Sequence, residues 1–295
     1  MQDWGRLITA MATPFDREGK LNLAGAAELA KRLAGEGTTA VVLAGTTGES
    51  PTLSDDEKLA LFETVKRNVG IPVIANVGSN NTEKSALLAQ KAKETGIDGI
   101  MAVVPYYNKP NREGIYQHFK TIAQAAQLPL MVYNVPGRTA LNLDAETILR
   151  IAKIPFVHSI KEATEDFGKI SRVIREAPPH FKVYTGEDHL TLPILAIGGY
   201  GVVSVAAHVA GRQMKAMIEN YLAGRVEKAK ELHLALTPVY ESLFLTANPI
   251  PLKSALRLCG FDAGSLRLPL VEASGEIVAR LKADLQNLSL VEGKD

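Results

Sequence analysis

The chain has almost no cysteine. Cys259 is the only one in 295 residues, so no disulfide can form within it. Its surroundings, Leu256-Arg257-Leu258-Cys259-Gly260, read as the end of an amphipathic helix, where a thiol serves as a small hydrophobe rather than a nucleophile. Net charge is missing too: Lys plus Arg number 33 against 32 Asp plus Glu, a formal +1. There is no surplus of either sign to draw nucleic acid or an acidic membrane surface, and the partners expected are small molecules and further copies of the chain. The start, Met1-Gln2-Asp3-Trp4-Gly5-Arg6, lacks the basic, apolar and small-residue succession of an export signal, so the protein is expected in the cytoplasm. His118, His158, His180, His189, His208 and His233 are scattered, without the spacing of metal ligands, and neither a metal nor a cofactor is expected. No Pro/Gly/Ser-rich linker marks off a detached domain.

The stretch from His189 to Gly211 has no Asp, Glu, Lys or Arg and is long enough for a membrane span. Pro193, the break Gly198-Gly199-Tyr200-Gly201, Ser204 and His208 divide it instead into a short apolar helix, a turn and a strand, so no membrane is expected. The same glycines precede a strand rather than opening a helix, which makes them a helix-to-strand turn and not a phosphate loop.

Eight short runs rich in Val, Ile, Leu and Ala recur: Leu7 to Met11, Ala40 to Leu43, Val73 to Asn76, Gly99 to Val104, Leu130 to Tyr133, Val157 to Lys161, Lys182 to Thr185 and Gly201 to Ser204. They are near-continuous apolar runs rather than alternating ones, as expected of parallel strands covered on both faces, and eight is the number that closes a (β/α)8 TIM barrel. Helical signals fill the gaps. Ser54-Asp55-Asp56-Glu57 predicts a capping box, Asn111 precedes a helical run to Ile122, and Gly35, Gly37, Gly70 and Gly96 stand where helices should end. After Gly211 helices are expected over Arg212 to Leu222, Val226 to Leu245, Pro251 to Leu258 and Gly275 to Leu288, with a frayed tail from Val291. The expected organisation is a barrel over 1–224 and a helical extension over 225–295 packed on it.

In such a barrel the C-terminal strand ends converge on one site. Lys161 ends the apolar sixth run; desolvation disfavours an ammonium, so an amine there can attack a carbonyl as a Schiff-base nucleophile, or the stem can snorkel to water. The second run ends in Gly45-Thr46-Thr47-Gly48-Glu49, which is either a plain turn or a cradle of N–H groups and hydroxyls for a carboxylate. The fourth ends in Pro105-Tyr106-Tyr107-Asn108, whose phenols suit packing or a subunit contact. The fifth ends in Tyr133-Asn134-Val135-Pro136-Gly137-Arg138-Thr139, where a phenol can relay protons and a guanidinium can grip a carboxylate, or a core tyrosine and a surface charge stand side by side. Taken together, amine, phenols, hydroxyls and guanidinium fit a Schiff-base site for a carboxylated carbonyl compound.

Those motifs, with Ser50, Ile160-Lys161-Glu162-Ala163, Gly201-Val202-Val203-Ser204-Val205 and Asn248-Pro249-Ile250-Pro251, carry a resemblance over nearly the whole chain. The sequence resembles the dihydrodipicolinate synthases, in the N-acetylneuraminate lyase superfamily of class I aldolase barrels. The resemblance implies that Lys161 condenses with pyruvate and that the enamine adds to the aldehyde of L-aspartate 4-semialdehyde, with cyclisation following, at the entry to the diaminopimelate route to lysine. It implies a proton relay of Thr47, Tyr133 and Tyr107, the last reaching into a neighbouring subunit. It gives Thr46 and Thr47 the pyruvate carboxylate and Arg138 the semialdehyde carboxylate, with Gly186 and the Val203 carbonyl completing the pocket, and a homotetramer built from tight dimers.

Two other readings stand beside it. A sibling aldolase acting on N-acetylneuraminate or a 2-keto-3-deoxy sugar acid shares the lysine and tyrosine, but Arg138 suits a short substrate with a terminal carboxylate. A barrel that binds a keto acid without turnover would have little use for the relay hydroxyls. The resemblance also implies an effector pocket for L-lysine to which Ser50, Asn80 and Tyr106 contribute. Inhibited enterobacterial-type members carry histidines where Asp55 and Lys58 stand and a glutamate where Lys84 stands, so weak or absent inhibition is expected here.

Overall fold

The computed structural model describes residues 3–291. Eight parallel strands close into a barrel in sequence order: β1 (Leu7–Ala10), β2 (Ala40–Leu43), β3 (Val73–Asn76), β4 (Gly99–Val103), β5 (Leu130–Asn134), β6 (Val157–Glu162), β7 (Lys182–Thr185) and β8 (Gly201–Ser204), which pairs back to β1. All eight predicted runs are strands, and their ends differ from expectation by at most one residue. Met11 and Val104 fall outside, while Asn134 and Glu162 extend β5 and β6.

Side-chain alternation sorts the strands into two apolar layers. Ile8, Val42, Ile74, Met101, Met131, Tyr133, Tyr184 and Val203 fill the barrel, and Val41, Val73, Ile100, Val132, Ile160 and Val202 face the surrounding helices. Trp4 plugs the inner cluster; a Cβ on Gly99 would sit 2.2 Å from its indole, so this strand start admits only glycine. With the lower barrel packed solid, space for a ligand is left at the C-terminal mouth.

The predicted caps form. Ser54 Oγ accepts from Glu57 N at 3.2 Å while Glu57 Oε2 accepts from Ser54 N at 2.9 Å, and Asn111 caps the helix Arg112–Ala126. Gly37 and Gly96 turn the chain with φ of 107° and 79°, conformations open to glycine.

Expectation and structure differ after β8. The helix expected from Arg212 begins at Ala207 and runs to Leu222, with a kink at Ala210; its apolar first turn carried no polar cap to announce it. The next helices span Val226–Ser242, Ile250–Leu258 and Gly275–Asn287. The first of these packs on Ala207–Leu222, and the last on both of the others. Cys259 caps Ile250–Leu258 as a free thiol, and burial pushes it up to about 11. Among the described residues no helix is long and apolar enough to cross a membrane; residues 292–295 of the tail expected to fray lie outside them.

Candidate active site

Tyr133 on β5 and Lys161 on β6 are direct partners in the parallel ladder, and Lys161 pairs on its other side with Tyr184 of β7. A bulge opposite Leu130 and Met131 skips His158, which sets the alternation so that Lys161 shares the inward face with Tyr133. Lys161 is 5% exposed, and its Nζ lies 4.4 Å from the centroid of the Tyr133 ring. No carboxylate comes within ion-pair distance of the amine among the described residues. A Cβ on Gly186, at the end of β7, would stand 2.8 Å from Lys161 Cε and 3.0 Å from Ala163 Cβ, so the bare glycine leaves room for the lysine stem.

A cavity of about 620 Å³ opens beside this pair. Thr46, Tyr106, Tyr133 and Arg138 line it together with Ser50, Asp55, Lys58, Ser79 and Lys84. Lys161 is not on the wall; Tyr133 is, with the amine against its ring. Arg138 rides on the one-turn helix Pro136–Thr139, exposed and with no carboxylate at ion-pair distance among the described residues. Glu187 is half-buried beyond Gly186; burial raises its carboxyl, opposed first by the nearby Lys161 charge.

Other predicted residues lie off the cavity wall. Thr47 is buried and its Oγ1 accepts from Asn248 Nδ2 at 2.9 Å, so of the two threonines it is Thr46 that faces the cavity. Tyr107 projects into solvent, 88% exposed, from a backbone with φ of 72°. Asn80 offers its carbonyl to Asn108 Nδ2, and Val203 sits in β8 within the barrel.

The sequence reading missed the groups that hold the threonine turn. Glu49, at φ of 53°, buries its carboxylate 2.7 Å from Lys253 Nζ, with both side chains wholly inaccessible. Its other oxygen accepts from Arg267 N at 3.0 Å, and Arg267 is also bonded to Glu57 and to the Thr52 carbonyl. Burial pulls Lys253 downward and Glu49 opposes it, while Arg267 holds Glu57 down to about 2. Asn248, Lys253 and Arg267 thus anchor the Gly45–Ser50 turn from about 200 residues away in sequence. Only Asn248, within a quoted motif, could have been flagged from sequence. Behind β8, Asp188 accepts from the N–H groups of Val205 and Ala206, and burial raises it.

Buried amine, adjoining phenol and unpaired guanidinium are the parts needed to activate a small keto acid and to grip a second carboxylate. The family model described as "Dihydrodipicolinate synthetase family" matches residues 3–288. The 4-hydroxy-tetrahydrodipicolinate synthase of Moorella thermoacetica is 50% identical over 290 residues, 98% of this chain and 99% of that protein. The crystal structure of a dihydrodipicolinate synthase from Bacillus anthracis superposes with a TM-score of 0.95 at 46% identity, covering 97% of this chain and 99% of the other. That of Cyanidioschyzon merolae with lysine bound gives 0.96 at 43% identity, covering 98% and 99%.

Proposed function

The chain belongs to the dihydrodipicolinate synthetase family, and from that premise we propose that it condenses pyruvate with L-aspartate 4-semialdehyde to give 4-hydroxy-tetrahydrodipicolinate, in the diaminopimelate route to lysine. Lys161 Nζ attacks C2 of pyruvate and water leaves, forming an imine. Loss of a C3 proton gives the enamine, whose C3 bonds to the aldehyde carbon as the aldehyde oxygen takes up a proton. The amino group of the second substrate then attacks C2, closing the ring and returning the lysine amine. The observation that carries this reading is the Lys161 amine 4.4 Å from the ring of Tyr133, which lines a cavity shared with Arg138, itself without a carboxylate partner among the described residues.

Tyr133 moves protons to and from the substrates, and Arg138 takes the semialdehyde carboxylate in a bidentate grip. The relay hydroxyl assigned to Thr47 by resemblance is better given to Thr46, which lines the cavity, whereas Thr47 is buried off its wall against Asn248. Both threonines' N–H groups remain candidates for the pyruvate carboxylate, with Gly186 and the Val203 carbonyl at the pocket's edge. Tyr107 completes the relay of a neighbouring subunit; its near-complete exposure supports that reading, since a tyrosine buries readily once a partner supplies the surface. The assembly is a homotetramer of tight dimers acting in the cytoplasm. Ser50, Tyr106 and Asn80 contribute to an effector pocket beside the substrates.

A sugar-acid lyase is disfavoured by Arg138 and by the synthase names of the relatives. Purified protein given pyruvate and the semialdehyde together should form the cyclic product. Turnover of N-acetylneuraminate or a 2-keto-3-deoxy sugar acid in its place would overturn the assignment.

A further inference from the structure

Asn134 follows Tyr133 on β5, and Glu162 follows Lys161 on β6; the two are direct ladder partners. Alternation turns both away from the barrel mouth, onto the back of the paired strand ends. There they meet. Asn134 Nδ2 donates to Glu162 Oε1 at 2.8 Å and to Asn142 Oδ1 at 2.9 Å, and Asn134 Oδ1 accepts from Leu143 N at 3.2 Å. Lys169, on the helix Phe167–Glu176, closes the ring: its Nζ lies 3.1 Å from Glu162 Oε2 and donates to Asn142 Oδ1 at 3.1 Å. The Glu162 and Lys169 side chains are 3% and 7% exposed.

The connectivity is what matters. The chain leaves β5 at Asn134, passes through Arg138 and returns to the Asn134 side chain at Asn142 and Leu143, so one amide closes the loop that carries the guanidinium. Within the loop, Arg138 N and Thr139 Oγ1 bond the Val135 carbonyl. The same amide grips Glu162, the covalent neighbour of Lys161. A buried ion pair with both oxygens engaged holds one arrangement firmly, whatever its net contribution to stability.

We propose that the ring of Asn134, Asn142, Glu162 and Lys169 is a positioning device that fixes the Arg138 loop relative to the Lys161 strand end, and so aligns the carboxylate of the second substrate with the nucleophile formed on the lysine. These are positioning residues, since none touches substrate. The inference rests on the reading above, in which Arg138 binds that carboxylate.

The test separates the two substrates. Asn142→Ala removes one of the two bonds that tie the loop end to the Asn134 amide while leaving the buried ion pair intact; Asn142 is exposed, so the variant should fold. KM for L-aspartate 4-semialdehyde should rise about 3- to 10-fold, the range of one or two hydrogen bonds, with borohydride trapping of pyruvate unchanged. Asn142→Asp keeps the acceptor and should hold the wild-type KM. The double variant Glu162→Gln, Lys169→Met removes both charges together and should show the same one-sided rise. Equal losses in pyruvate trapping and semialdehyde KM, or an unchanged semialdehyde KM in Asn142→Ala, would overturn the proposal. Wild-type failure to turn over the two substrates would instead count against the functional reading itself.

Discussion

Lys161 and Tyr133 stand opposite one another on adjacent parallel strands, the amine 4.4 Å from the centre of the phenol ring. The ladder sets that pairing, so the proposed nucleophile and its proposed proton carrier are placed by backbone hydrogen bonds rather than by a loop. Arg138 sits on a short loop helix that begins two residues past the end of β5. With the proposed roles, the first and second substrates are held by elements of different origin and should be separable by mutation.

Arg138→Ala should impair addition of the semialdehyde by roughly 10- to 150-fold, the loss of a charge-assisted bidentate contact. Imine formation with pyruvate should be nearly untouched. Steady-state kinetics with each substrate varied in turn checks this; matching damage to both steps would remove Arg138 from its role.

Gly186→Ala tests the space around the nucleophile. The new methyl would meet Lys161 Cε at 2.8 Å and Ala163 Cβ at 3.0 Å, and the flexible lysine stem is the part that yields. Displacing the amine should slow imine formation by about 10- to 100-fold with little change in thermal unfolding. A variant that forms the imine at the wild-type rate would mean that this glycine has no part in placing the amine.

Stability should fall in mild acid. Burial holds His118, His158 and His208 each at about 4. His208 accepts from Ala12 N at 3.0 Å through Nε2 and donates from Nδ1 to the Val205 carbonyl, so the neutral ring is built into the fold. These folded-state values lie below the unfolded reference of about 6.5, so the unfolded chain binds more protons as pH drops. Stability is therefore intact above about 6.5 and declines from there toward 4, by about 2 kcal/mol per histidine at pH 5. Urea unfolding at pH 7 and pH 5 measures it, and His208→Gln should flatten part of the slope.

Feedback by L-lysine should be weak. Lys58 and Lys84 line the cavity with Ser50 and Tyr106, and among the described residues Asp55, 3.8 Å from Lys58, is the one carboxylate on that wall to face the effector's ammonium groups. Like charges about 4 Å apart oppose each other by up to roughly 4 kcal/mol near a protein surface. Half-inhibition at sub-millimolar lysine would contradict this, and Lys84→Glu should strengthen inhibition.

The barrel was legible because its strands are buried on both faces, which writes each as a short run rich in Val, Ile, Leu and Ala rather than as a strict apolar/polar alternation. That Lys161, Tyr133 and Arg138 would lie close together was legible because strand ends in a barrel share one mouth. Which of Thr46 and Thr47 faces the cavity was not, since strand alternation lapses in a tight turn and the choice is made by Asn248, some 200 residues on. The Glu49 and Lys253 pair was hidden for the same reason: each reads as an ordinary surface charge until the C-terminal helices close over it. The helix start at Ala207 escaped because an uncapped apolar first turn looks like a continuing strand.

Chemical trapping reads the Lys161 amine directly. Incubation with pyruvate and borohydride, then peptide mass mapping, should give one permanent adduct, on Lys161, and none in Lys161→Ala. An adduct on a different lysine, or turnover of both substrates with no adduct at all, would contradict the mechanism.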